Sequence, residues 1–151
     1  MPVTYYPENG RYKPTKGTIY AEFIAVTPNP CRKYHVSSDL DSAERIAELV
    51  LPFLADRRIK HKVVKSRSDL VMQTNGLQAG KFITIYMHNS VVQLNQTIQE
   101  LGRQLAELFK KGLVHPCGSV PKSRRYRHIF IEQPLDSKMF IYGGYECDPY
   151  E

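Results

Sequence analysis

Lys33-Tyr34-His35 sets a cation and a titratable imidazole two residues apart. In an extended strand that spacing sends both side chains off one face, while Tyr34 and Val36 leave the other. An ammonium beside an imidazole can hold an anion and hand it a proton. Taken alone, the pair reads first as a solvent-facing edge with one chance histidine. His61-Lys62-Val63-Val64-Lys65 is the second such stretch. Lys62 and Val64 share a face, and if Val64 meets the core, Lys62 turns inward with it. A lysine drawn into an apolar, cationic setting favours its neutral amine, which can abstract a proton. Snorkelling of both lysines to water is the alternative. The third stretch, Lys122-Ser123-Arg124-Arg125-Tyr126-Arg127-His128, is the densest run of charge. Guanidinium groups suit bidentate capture of a phosphate dianion. A solvated loop, a nucleic-acid patch and a phosphate clamp all remain open on spacing alone.

Elements that position these residues are legible in the hydrophobic pattern. Ile19 to Val26 is β-branched and aromatic and stops at Thr27-Pro28-Asn29-Pro30, which predicts a strand and a turn, with a second strand from Lys33 to Ser37. Asp41-Ser42-Ala43-Glu44 reads as a capping box, after which Ile46, Leu49, Val50, Phe53 and Leu54 recur at helical spacing. Pro52 inside that helix predicts a kink or an early end, because proline removes an amide donor and crowds the preceding turn. Ile59 to Lys65 and Lys81 to Met87 predict strands. Leu94, Ile98, Leu101, Leu105 and Leu108 then step by four and three, and Gly112 sits where a left-handed residue ends a helix. A loop from His115 to Ser123 and a hairpin of Arg127 to Glu132 with Lys138 to Tyr142 complete the chain. The order β-β-α-β-β-α-β-β predicts an α+β fold, a small, mostly antiparallel sheet packed with two main helices. Residues 1–18, with three prolines, two glycines and no hydrophobic period, read as a flexible arm before a single domain over 19–151.

Bulk properties narrow the classes. A chain of 151 residues is the size of one domain. Hydrophobic content of 42% with 24% charged residues excludes a disordered or fibrous chain. Lys and Arg number 21 against 15 Asp and Glu, a net charge of +6 that favours anionic partners. Cys31, Cys117 and Cys147 are too few and too scattered for a disulfide framework, so a reducing compartment, the cytoplasm, is expected. The first 16 residues hold no apolar stretch of a secretory signal or membrane span. His61, His88, His115 and His128 lack the spacing of metal ligands.

Taken in order, the Lys-x-His strand, the following helix, Lys62-Val63-Val64, Gly80-Lys81-Phe82-Ile83-Thr84-Ile85-Tyr86, the long helix, the Arg-rich segment and Tyr142-Gly143-Gly144-Tyr145 resemble the phosphothreonine lyase family. That family comprises type III secretion effectors and the N-terminal lyase domains of class III and IV lanthipeptide synthetases. The resemblance runs from about Arg32 to Tyr145. It implies β-elimination of phosphate from phosphoserine or phosphothreonine, leaving a dehydroamino acid. Lys62 matches the base that takes the Cα proton, and His35 the acid that protonates the departing oxygen. Lys33, Tyr86, Arg124, Arg125 and Arg127 are the implied phosphate ligands, and Lys81 covers the charge of an arginine that the effectors carry before their equivalent strand. No metal or organic cofactor is implied. The partners implied are a phosphorylated peptide or protein and a separate kinase, with neither membrane nor nucleic acid. The setting is either lanthipeptide-type maturation or secretion into a host cell as an effector. The alternative is a module that binds phosphopeptide or nucleic acid through the Arg cluster without turnover. His35-Val36-Ser37 and His128-Ile129-Phe130 echo the paired motifs of 2H phosphoesterases, but the second lacks its hydroxyl residue.

Overall fold

Short runs of alternating apolar and polar side chains form strands because successive residues face opposite sides of a sheet. The strands are β1 (Tyr12–Pro14), β2 (Tyr20–Phe23), β3 (Cys31–Val36), β4 (Lys60–Val64), β5 (Ile83–His88) and β6 (Ile141–Glu146). The helices are α1 (Ala43–Asp56), α2 (Arg67–Thr74) and α3 (Val91–Lys110). This computed structural model describes residues 4–76, 79–88, 91–117 and 140–146. The sheet order is β1-β2-β4-β5-β3-β6, with every neighbouring pair antiparallel. The architecture is α+β, as the pattern of elements predicts. Among the described residues no helix is long and apolar enough to cross a membrane.

One face of the sheet is apolar. Ala21 and Phe23, Tyr34 and Val36, Val63, and Ile83, Ile85 and Met87 are buried, and they share one core with Ile46, Val50 and Leu54 of α1 and Ile98, Leu101 and Leu105 of α3. The apolar stripes of the two helices therefore do what their spacing predicts.

Several expectations need correction. The segment before Thr18 is not all arm: β1 pairs with β2, and Tyr12 is buried against Phe23 with their rings 5.4 Å apart. A proline-rich stretch can still supply an edge strand, where a missing amide costs nothing on the open side. The capping box does not form. Ser42 caps α1 without a side-chain cap bond, and its hydroxyl instead accepts from the His115 amide at 2.7 Å, tying the chain after α3 to the start of α1. Pro52 does not end α1, which runs on to Asp56. Pro52 is exposed, so the Glu48 carbonyl that loses its i+4 donor sits at the surface. The sequence pattern misses α2, whose apolar residues are too few for a periodic signal. Its cue is Ser66, which accepts from the Asp69 amide at 3.4 Å and donates to the Asp69 carboxylate at 2.8 Å. Cys31 is disulfide-bonded, although the number and scatter of the cysteines pointed to a reducing compartment. The strand expected at Arg127 to Glu132 lies outside the described residues, and β6 begins at Ile141, later than expected.

His61 belongs to the apolar face and is fully buried. Its Nδ1–H donates to the Ile59 carbonyl at 2.7 Å, which leaves Nε2 to accept from the Tyr12 hydroxyl at 2.7 Å. The ring stacks on Phe23 at 4.7 Å. Burial holds its pKa down to about 4, against 6.5 when free. Between those values the unfolded chain binds the proton that the folded chain refuses. The stabilisation is complete above pH 6.5 and lost as pH falls to about 4, roughly 3 kcal/mol in all. We expect urea midpoints to drop over this window in the native protein. The double variant Tyr12→Phe, His61→Leu should lose most of that slope, and an unchanged slope would place the acid sensitivity elsewhere.

Candidate active site

The opposite face of the sheet is polar, and strand register fixes what lies on it. Lys62 of β4 stands opposite Thr84 of β5, and Thr84 stands opposite His35 of β3. Glu22 of β2 lies opposite Lys62 on the other side. The row across four strands reads Glu22, Lys62, Thr84, His35. Neighbouring strands lie about 4.8 Å apart, so the backbones of Lys62 and His35 are about 10 Å apart, with their side chains off the same face. One pleat along, Lys33, Tyr86 and Lys60 form a parallel row. The acid and base candidates thus flank a gap floored by Thr84.

Each side chain has a local reason for its pose. His35 is 3% exposed, and its Nδ1 lies 3.0 Å from the Thr84 hydroxyl, an oxygen that can accept an N–H and so direct Nε2 away from the sheet. Lys33 is 2% exposed, with its Nζ 5.7 Å from the Tyr86 ring centroid. A buried ammonium close to an aromatic face keeps part of the stabilisation that water gave it. Lys62 is half-buried, its Nζ 4.3 Å from the centre of the Tyr20 ring. The Tyr20 hydroxyl accepts from Gln73 Nε2 of α2 at 2.8 Å, and that nitrogen also donates to the Lys81 carbonyl at 2.9 Å. α2 therefore sets the ring on which Lys62 rests. Burial pushes the Tyr20 phenol up to about 12, the Gln73 bond offsetting part of the rise. Burial raises the Tyr86 phenol further, helped by Glu22 and Tyr20. Both phenols keep their protons at neutral pH and can donate to an anion.

β6 is the edge strand beyond β3. Its backbone pairs Tyr142 with His35, Gly143 with Tyr34 and Tyr145 with Lys33, the register slipping between Lys33 and Tyr34. Gly144 is the extra residue in that bulge. Bulges re-aim the side chains beside them and recur next to active sites.

Strand register brings Lys33, His35, Lys62 and Tyr86 onto one face. Lys81 is 5% exposed and stands two residues before β5, outside the paired rows. Arg124, Arg125 and Arg127 lie outside the described residues. Sequence reasoning misses Glu22, Tyr20, Thr84 and Gln73. Thr84 carries a signal in hindsight, since it shares the face of Tyr86 by alternation. Glu22 and Gln73 carry none, because their place depends on strand order and on an unforeseen helix.

The family model described as RamC, N-terminal domain, matches residues 19–112 of the chain. Among solved structures, the chain is similar to the type III effector/phosphothreonine lyase OspF from Shigella flexneri, with a TM-score of 0.59 and 16% identity over 88% of this chain and 68% of that one. It is similar also to a phosphothreonine lyase solved for its enzymatic mechanism, with a TM-score of 0.60 and 17% identity over 87% of this chain. The match covers 62% of that second lyase, less than two thirds of its length. At such identities the likeness shows a shared fold. No curated protein sequence matches the chain.

Proposed function

The chain belongs to the RamC N-terminal domain family, and from that premise we propose that it is a lyase that eliminates phosphate from phosphothreonine or phosphoserine in a peptide or protein. The observation that carries this reading is the cross-strand row in which Lys62 and His35 flank Thr84. The fold shared with phosphothreonine lyases agrees with it.

β-Elimination needs a base, an acid and an anion site on one side of the substrate. Lys62 Nζ, as the neutral amine, takes the Cα proton. The electron pair of that C–H bond becomes the second bond between Cα and Cβ, and the Cβ–O bond breaks with its electrons leaving on oxygen. His35 Nε2–H delivers a proton to that oxygen, while Nδ1–H rests on Thr84. Lys33, with Tyr86, holds the phosphate and offsets its charge. Lys81 and the guanidiniums of Arg124, Arg125 and Arg127 are the further phosphate ligands in this reading. The products are a dehydroamino acid and inorganic phosphate. The substrate is made by a separate kinase, in a peptide-maturation pathway or on a host protein.

Mass spectrometry on a phosphothreonine peptide tests the reaction. Elimination removes phosphoric acid, about 98 Da, whereas hydrolysis would remove about 80 Da. Unchanged mass with retained binding would instead identify a phosphopeptide-binding module.

A further inference from the structure

A groove of about 420 Å³ runs between the N-terminal segment and α1. It lies away from the lysine and histidine rows. Tyr12, which lines it, pairs with Phe23 and touches His61, and so belongs to the apolar face of the sheet. Tyr5, Tyr6 and Pro7 form one wall, with Leu51 and Pro52 of α1 opposite. Glu44, Glu48 and Asp56, all exposed, stand along its helix side. Burial raises the Tyr5 phenol pKa, the Arg67 guanidinium offsets part of the rise, and the Glu44 carboxylate adds a smaller rise of its own. Arg11 is the cation among the lining residues, and one of its nitrogens donates to the Ala55 carbonyl at 3.3 Å.

Apolar walls with three carboxylates are unexpected on a chain of net charge +6. The net charge attracts anions, so a local acidic groove selects for the opposite partner at close range, within about one Debye length of 8 Å. Aromatic and proline walls bury an aliphatic or aromatic side chain. The geometry points to a second binding site: the groove between the N-terminal segment and α1 receives a peptide stretch in which basic residues neighbour apolar ones. It recognises peptide without phosphate, and it stands independently of the lyase reading.

Fluorescence anisotropy with the full chain tests it, using a labelled hexapeptide of alternating arginine and leucine. Controls replace arginine by glutamate or leucine by serine. The arginine-leucine peptide should bind about tenfold or more tightly than either control. Glu44→Lys with Glu48→Lys should weaken it by about tenfold or more, and Glu44→Gln with Glu48→Gln by less. Both pairs should leave elimination on a short phosphopeptide unchanged, and Lys62→Ala should leave arginine-leucine binding unchanged. Equal affinity for the three peptides, or indifference to both pairs of glutamate changes, would overturn the proposal. A groove that binds while no phosphopeptide loses mass would sink the lyase reading alone.

Discussion

Lys62→Ala is expected to lower elimination from a phosphothreonine peptide by about 10³-fold or more, while the peptide still binds. A positioned base contributes about 10²–10⁴-fold, and the weakly acidic Cα–H places this reaction toward the upper end. Binding survives because Lys33 and Tyr86 lie in the adjacent row and do not depend on position 62 for their placement. Lys62 is half-buried and lies on the polar face, so truncation leaves no cavity in the core, and the melting temperature should barely move. The sharper variant is Lys62→Arg. A guanidinium keeps the positive charge but stays protonated, so it can bind phosphate and cannot abstract a proton. Lys62→Arg should be as inactive as Lys62→Ala in single-turnover assays. Near-native turnover in the arginine variant would show that position 62 contributes charge rather than a base.

His35→Ala should lower kcat by about 10²–10³-fold with a much smaller change in KM. In the proposed reaction His35 would relieve the departure of phosphate as an unprotonated trianion, a charge that develops mainly in the transition state. Thr84→Val is the companion test. Valine matches threonine in shape and suits a strand, but the hydroxyl 3.0 Å from His35 Nδ1 is gone. The imidazole would remain yet lose the partner that orients it, so an intermediate loss in kcat, about tenfold, is expected. If His35→Ala weakened peptide binding and turnover equally, the imidazole would be a phosphate ligand and not the acid. If Thr84→Val changed stability but neither kcat nor its pH profile, the hydroxyl would be structural.

Local pattern alone established much of this. Alternation placed Lys33 with His35, and Lys62 with Val64, on common strand faces. The leucine spacing of α3 and the order of strands and helices predicted an α+β fold. These features follow from the periods of about 2 and 3.6 residues that backbone geometry imposes on any short segment. What the sequence withheld was adjacency. β3 and β4 are consecutive strands, yet β5 inserts between them, and that insertion sets Thr84 between Lys62 and His35. β1 joined the sheet although its composition reads as arm, and α2 brought Gln73 to Tyr20 from a stretch without helical periodicity. Strand order and register depend on which apolar faces can be buried together across long chain separations, a property of the whole packed core. The sequence by itself determined which residues share a face; only the tertiary structure decided which faces and rows would meet.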